Sequence, residues 1–253
     1  MRLTDYPILL FVFTIAVLWI AGFAGAALHR PGRFDEKARD DYNAILGATL
    51  TLLALLIGFS FSLATNRFDQ RKNHEEAEAN AIGTEWVRLE LLRAGETVAG
   101  QRLLRSYLGR RIAWYETTGD AGLAENVAAT SRLQNELWAV VRGAAQARPT
   151  PVTALAASGM NDVLNSQGYT QAAWLYRIPG EAWALMFAIA ICANILIGFG
   201  AHVPIWRHPL FLVLPVIIGI AFLLIADIDS PRGGLIAVSP QNLISVAQSL
   251  GLR

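Results

Sequence analysis

Two closely spaced carboxylates follow the last long apolar stretch of the chain. Asp227 and Asp229 precede the sequence Ser230-Pro231-Arg232-Gly233-Gly234, which is typical of a tight turn. Carboxylate and carbonyl oxygens are the hard ligands that Ca²⁺ prefers. The pair is therefore a candidate calcium site. The alternative is structural, with Asp229 capping the turn and Arg232 paired with an acidic group at a membrane surface.

The other reactive residue types do not form a catalytic set. The four histidines lack the spacing of a zinc site, and Cys192 is the one cysteine, so no disulfide or thiolate site can form within the chain. The sequence contains no glycine-rich phosphate loop, nucleophile elbow or HExxH motif. We therefore expect no enzyme. A membrane enzyme acting on lipid is disfavoured for the same reason, since no acid–base or nucleophile cluster is evident.

Small and weakly polar residues recur at helical spacing within a second apolar stretch. One interpretation is close packing against another helix, which small residues at every fourth position favour. The other is that this helix lines a pore in an oligomer, where lipid contact is not required and small polar groups are tolerated. The sequence leaves both interpretations open. The residues are Gly47, Thr51, Ala54, Gly58, Ser62 and Thr65.

Charged residues follow this stripe at i,i+4 spacing. Arg67, Arg71 and Glu75 form one series, and Lys72 with Glu76 forms another. Exposed pairs of this kind contribute only about 0.3–0.5 kcal/mol each, so an ordinary solvated helix face is the favoured interpretation. In a symmetric oligomer, Arg67, Arg71 and Glu75 would instead form rings of charge in a vestibule and influence which ions enter.

The composition predicts that these residues are positioned in a membrane. The chain has 253 residues, of which 54% are hydrophobic and only 16% charged, against about 25% charged in an average soluble domain. The net charge of +1 argues against nucleic-acid binding, which needs a strong positive field. No nucleic-acid partner is therefore expected.

Four stretches are long and apolar enough to cross a bilayer, for which about 20 residues are needed. The first is read as a retained span rather than a cleaved signal peptide, because its apolar run exceeds the usual length. The second continues without a helix breaker to Ala94. The spans are Pro7–Leu28, Ile45–Thr65, Ala182–Ala201 and Pro209–Ala226.

The expected fold is all-α, with four transmembrane helices and a helical soluble part between spans two and three. Segment 66–177 carries 13 basic and 12 acidic residues, more than half of the charge of the chain, and shows helical periodicity. The predicted organisation is 1–65 for the first helix pair, 66–177 for the soluble segment and 178–226 for the second pair. A turn and a short amphipathic helix occupy 227–253.

Four spans place both termini and segment 66–177 on one side of the membrane, and loops 29–44 and 202–208 on the other. Basic residues near the span ends are divided almost evenly, so the positive-inside rule gives no orientation. The simplest arrangement leaves the long segment untranslocated. This predicts a multi-pass protein of the inner (plasma) membrane, with the termini and segment 66–177 in the cytoplasm.

Several motifs, taken in order, resemble those of bestrophins. Gly58–Phe68 reads GFSFSLATNRF, which is similar to the bestrophin pore helix. Both have a Gly-Phe pair, and both have an arginine nine positions after the glycine, followed directly by an aromatic residue. Arg177-Ile178-Pro179 before the third span looks like the Ile-Pro start of the corresponding bestrophin helix. The turn that begins at Asp227 lies where bestrophins carry an Asn-Pro-Phe-Gly turn and acidic residues. The chain as a whole most resembles the bacterial bestrophin-like membrane proteins. These are classed as a domain of unknown function and are distantly similar to bestrophin ion channels.

The resemblance implies a homopentamer with the second span around a central axis. Carried over from Gly58, the bestrophin neck falls on Phe59, Leu55 and Thr51, with Ser62 on the same pore-lining side. A narrow ring of apolar side chains gates by excluding water. Bestrophins bind Ca²⁺ in an acidic clasp after the last span, whereas this chain lacks the dense acidic run and has Arg232 there.

Two functions of different classes follow. The first is an oligomeric ion channel with a central pore lined by the second span and closed by a hydrophobic neck, its partners being the lipid bilayer and inorganic ions. The second is a non-conducting adaptor or sensor, in which the long helix relays signals between the bilayer and the soluble helices. The sequence does not predict ion selectivity.

Overall fold

The chain is helical throughout the part that the structure, a computed structural model, describes: residues 3–28, 36–201 and 208–251. Within these residues no strand occurs, so the all-α prediction is confirmed. Short 3-10 helices at Leu3–Asp5 and Pro209–Leu212 precede the first and seventh α-helices. In chain order the α-helices are α1 Pro7–Leu28, α2 Glu36–Leu89, α3 Ala94–Glu116, α4 Asp120–Ala147, α5 Pro151–Leu175, α6 Gly180–Phe199, α7 Val213–Asp229 and α8 Gln241–Ser249.

Four helical stretches are long and apolar enough to cross a membrane, and they contain three of the four predicted spans in full and the third, Ala182–Ala201, as far as Phe199. The bounds differ most at α2. Residues 36–44, expected as a loop, are helical and extend α2 toward the N-terminus. Residues 29–35 and 202–207 of the two predicted loops lie outside the described residues. The continuous helix predicted from span two into the soluble segment is present, but it ends at Leu89 rather than Ala94.

Side-chain and backbone caps explain where α2 stops and α3 starts. The Thr97 hydroxyl donates to the carbonyl of Leu89 at 2.8 Å and so satisfies one of the free carbonyls at the end of α2. The Arg93 N–H donates to the Glu96 carboxylate at 3.0 Å, as in a capping box. Neither Thr97 nor Glu96 is marked in the sequence by a helix-breaking residue at the end of α2. The end of α2 was therefore predicted a few residues too late.

The first compact unit comprises the described residues of Met1–Phe68 and Arg177–Ala237. In it α1 packs along α6 and α7. Two glycines allow the backbones of α1 and α6 to touch. A Cβ on Gly25 would overlap the carbonyl oxygen of Ile195, and one on Gly198 would overlap that of Gly22. Close backbone approach at small residues is how helices associate where no hydrophobic effect drives them together.

The second compact unit comprises Asp69–Tyr176 and Val238–Arg253. Here α3 packs on α4 and α8, and α4 packs on α5. Trp114 and Trp174 meet edge to face with ring centroids 4.5 Å apart. The α5 helix begins at Pro151 because Thr150 caps it, accepting from the Thr153 N–H at 3.2 Å. Fully buried apolar side chains of this unit include Leu104, Tyr107, Leu108, Leu137 and Met160.

Candidate functional site

One face of α2 in the first unit is left uncovered by the rest of the chain. Thr51, Leu55, Phe59 and Ser62 are all exposed, Leu55 at 52% and Phe59 at 60%. Only 11% of the residues in the most apolar stretch of α2 are buried, against 33% in each of the other three candidate spans. A hydrophobic helix with so little cover within its own chain has its remaining surface free for lipid or for other copies. The buried side of α2 carries Leu53, Ser60 and Ala64.

The two glycines in the small-residue stripe of α2 make no close helix contact within the described part of the chain. A Cβ built on Gly47 or Gly58 would meet no described atom within 4 Å. The Thr51 hydroxyl donates to the carbonyl of Gly47 at 2.8 Å, so it needs no partner from another helix. Within the described part of one chain, these glycines are therefore not packed against another helix, and close backbone packing occurs instead between α1 and α6.

Asp227 holds the turn that follows α7. Its carboxylate accepts from the N–H of Leu235 at 2.7 Å and from the N–H of Ile236 at 2.9 Å. A Cβ on Gly234 would lie 2.5 Å from Asp227 Oδ1, so this backbone approach requires glycine. The turn-capping role expected of Asp229 therefore belongs to Asp227.

Asp229 joins three elements of the first unit. Both of its oxygens accept from the N–H of Ile178, at 3.1 and 3.2 Å, where the chain turns into α6. Its Oδ1 lies 3.5 Å from Nη1 of Arg67 on α2. Beside it, Arg177 forms an ion pair with Asp5 and donates to the hydroxyl of Ser230 at 3.3 Å. The residues Arg67 and Asp229, predicted for two different roles, thus form one ion pair.

Both aspartates have structural partners in the place where a calcium site was predicted. Ca²⁺ takes six to eight oxygen ligands. Here each of the four carboxylate oxygens of Asp227 and Asp229 accepts a hydrogen bond from a backbone N–H group and so has a partner other than a cation. Across the described ranges, no group of three or more His, Cys, Asp or Glu side chains is placed to hold a metal ion. The geometry indicates a structural role for both residues.

Two of the three predicted vestibule charges are buried in the second unit. Arg71 is 1% exposed and Glu75 is 2% exposed, so the interpretation of a solvated helix face is wrong for both. The Glu75 carboxylate accepts from the Leu243 N–H at 2.9 Å and from the Asn242 amide at 2.6 Å. Those groups are the N-terminus of α8, where a negative charge is favourable. Glu75 therefore fixes α8 to α2.

A buried ion pair lies about one turn further along α2. Both oxygens of Glu78 contact the Arg111 guanidinium of α3, the Nη2–Oε2 distance being 3.2 Å. The Thr170 hydroxyl of α5 donates to Glu78 Oε2 at 2.9 Å. Burial raises the pKa of the neighbouring Tyr107 and Tyr115, and the charge of Glu78 raises it further. Both hydroxyls therefore stay protonated at neutral pH. This cluster ties α2, α3 and α5 together.

The exposed polar side of α2 beyond Ser62 was not identified from the sequence. Counting on from Ser62 by steps of three and four residues, as the 3.6-residue period requires, gives a series of exposed positions. The sequence analysis followed the i,i+4 charge pairs instead of this register, although the register itself is readable from the sequence. The exposed positions are Asn66, Asp69, Asn73, Glu76 and Asn80.

Comparison with known proteins gives a family and a fold. The model of the Bestrophin-like domain matches residues 14–243. A mutant of a bacterial bestrophin homolog from Klebsiella pneumoniae has a solved structure that is similar to this chain, with a TM-score of 0.60 at 16% identity. The match covers 95% of this chain and 98% of that one, which shows a shared fold. No curated protein matches the chain.

Proposed function

Because the chain belongs to the Bestrophin-like family, we propose that this membrane protein forms an oligomeric ion channel whose pore is lined by α2. The proposed assembly is a ring of five copies. Four apolar spans and membership of the family support a membrane location. The inner membrane, with both termini and segment 66–177 in the cytoplasm, is the proposed setting.

The observation that carries this proposal is the uncovered face of α2. Thr51, Leu55 and Phe59 follow one another by one helical turn, and none of them is packed by another part of the described chain. Around an axis, exposed Leu55 and Phe59 side chains would form two stacked apolar rings. A narrow apolar ring excludes water and therefore ions until it widens. We assign the neck to these residues, with Ser62 on the side facing the soluble part.

Replacing Phe59 by alanine tests the neck. If Phe59 forms the narrowest ring, Phe59→Ala widens it and raises ion flux from proteoliposomes, by about tenfold if the ring adds about 1.4 kcal/mol to the barrier. Phe61→Ala is the matched control, since Phe61 is also exposed but points to the opposite side of α2. Both variants are compared at equal incorporation and after confirmation of the same subunit number by native mass measurement.

Equal flux through wild type, Phe59→Ala and Phe61→Ala in correctly assembled protein would show that Phe59 does not line the conduction path. A monomer or dimer in the mass measurement would remove the central axis itself. Absence of flux in every assembled variant would favour the non-conducting adaptor or sensor.

The polar face of α2 in the second unit supplies the proposed vestibule. Asp69 and Glu76 are exposed carboxylates on this face, and Asn73 and Asn80 between and beyond them are neutral. Lys72 is also exposed and lies at the edge of this face, about 60° around the helix from Asp69 and about 40° from Glu76, because each residue turns by about 100°. These residues replace Arg71 and Glu75, which are buried, as the vestibule charges that we propose.

Neutralising the two carboxylates is expected to shift selectivity toward anions. Solvated carboxylates within a Debye length of the ion contribute about 0.4–1 kcal/mol, so Asp69→Asn with Glu76→Gln should lower the cation-to-anion permeability ratio roughly two- to fivefold. Reversal potentials under a salt gradient measure the ratio. Glu136→Gln, an exposed carboxylate of α4, is the control and should leave it unchanged. An unchanged ratio in the double variant would place Asp69 and Glu76 outside the vestibule.

A further inference from the structure

One carboxyl group of the second unit is fully buried without a hydrogen bond. Glu85 of α2 is 0% exposed, and within the described part of the chain neither of its carboxylate oxygens has a hydrogen-bond partner. Buried carboxylates elsewhere in this unit are compensated, Glu75 by α8 and Glu78 by Arg111 and Thr170. An ionised carboxylate that is buried and not hydrogen-bonded is so costly that the group takes up a proton instead.

The space for Glu85 exists because α5 carries a glycine opposite it. A Cβ on Gly159 would overlap Glu85 Oε2 and Arg88 Nη1. The Glu85 and Arg88 side chains therefore lie directly on the backbone of α5, and the contact between the two helices closes over the carboxyl group. A change in the size or charge of that group acts on the helix contact itself.

The charge around Glu85 does not balance when it is ionised. The charged groups facing it are Arg88, one turn along α2, and Asp162 of α5. Arg88 Nη1 lies 3.5 Å from Asp162 Oδ2, so one guanidinium serves two carboxylates. Burial raises the pKa of Glu85 to about 8, with a further rise from Asp162 that opposes the lowering by Arg88. Glu85 lies 20 residues beyond the apolar stretch that ends at Thr65, so water can reach this part of the protein when the helices separate.

We propose that Glu85 is a proton-binding site that controls the packing of α2 on α5. When Glu85 is protonated, its neutral carboxyl group fits between the helix and Gly159. When the proton leaves, the buried negative charge of Glu85 faces that of Asp162 with Arg88 shared between them, and the two helices separate locally to admit water. This site is independent of whether α2 lines a pore, since its elements all belong to the second unit.

The sign of the pH dependence follows from the two protonation states. In the closed contact Glu85 keeps its proton up to about pH 8, whereas in the opened segment it ionises with the ordinary pKa of a glutamate, about 4.3. Between these values the closed form binds more protons than the open form, so raising the pH favours opening. The ratio of closed to open molecules should fall by up to tenfold per pH unit across this window and level off above about pH 8.

Hydrogen exchange of the full-length protein in detergent tests this directly. Amide protection in residues 82–89 and 156–163, corrected for the intrinsic base-catalysed rate, is measured from pH 5.5 to 9 in wild type and Glu85→Gln. We expect protection to fall with pH in the wild type and to stay level in Glu85→Gln, which cannot ionise. Parallel curves for the two proteins would overturn the proposal.

Asp162→Asn provides a second test that keeps Glu85 in place. Removing the negative charge of Asp162 frees Arg88 for Glu85, so the fall in protection should level off at a lower pH than in the wild type. An identical pH profile in Asp162→Asn would also count against the proposal. Exposed Glu136→Gln should reproduce the wild-type profile, since it lies on α4 and does not face Glu85.

Discussion

Replacing Glu78 by alanine is expected to destabilise the second unit by about 3–5 kcal/mol. The change leaves the Arg111 guanidinium almost fully buried without its carboxylate, and the Thr170 hydroxyl loses one of its acceptors while keeping the Ser166 carbonyl at 3.0 Å. The guanidinium also lies over the ring of Trp114, 4.8 Å from the centroid, and it would lose this contact if it turned to solvent. Unfolding in detergent, followed by tryptophan fluorescence, measures the loss.

The double variant Glu78→Leu with Arg111→Met shows whether the stranded charge causes this loss. Buried ion pairs contribute little net stability compared with apolar residues of similar size, because desolvation offsets the attraction. The double variant should therefore recover most of the stability lost in Glu78→Ala. If single and double variants are equally unstable, packing volume rather than charge explains the effect.

A valine at position 198 is expected to disrupt the α1–α6 contact of the first unit. Even a methyl group there overlaps the Gly22 carbonyl oxygen and approaches Ala26 N to 3.0 Å, so the obstruction is backbone and cannot move aside as a side chain does. Overpacking of this kind costs about 1–3 kcal/mol, and more where backbones must separate. Thermal stability in detergent, measured as the midpoint of loss of monodisperse protein, reports the effect.

Gly47→Ala is the matched control for Gly198→Val, because both glycines lie in apolar helices but only Gly198 touches another backbone. We expect Gly47→Ala to leave the midpoint unchanged or slightly higher, since alanine favours the helix over glycine by roughly 0.5–1 kcal/mol. Equal losses in the two variants would show that the open side of α2 is as tightly packed in the assembled protein as the α1–α6 crossing is within one chain.

Periodicity and composition predicted the helices, because both depend on residues close together in the chain. The four spans and the long continuous α2 are of this kind. Which side chains contact one another in the folded protein depends on residues that are far apart in the chain. Arg71 and Glu75 have the spacing of a solvated pair, and nothing near them in the sequence indicates that α8 will cover Glu75.

The candidate site shows the same division. The uncovered face of α2 could be predicted from the helical spacing of its residues alone. Continuing the same spacing along the helix would have identified Asp69 and Glu76 as exposed. The roles of Asp227 and Asp229 could not, since two acidic residues before a turn are equally suited to a cation or to backbone N–H groups. The choice depends on where the N–H groups of Ile178, Leu235 and Ile236 come to lie.

The hydrogen bond between the Glu75 carboxylate and the start of α8 also constrains the order in which the protein folds during synthesis. Its two partners, Glu75 and Leu243, are separated by 168 positions in the chain. A ribosome adding about 5–20 residues per second needs on the order of ten seconds or more to reach the partner of Glu75. During that interval the carboxylate stays in water and the helix that carries it cannot complete its core. The second unit is therefore finished only after the last two spans have been made, which gives the nascent chain time to insert them first.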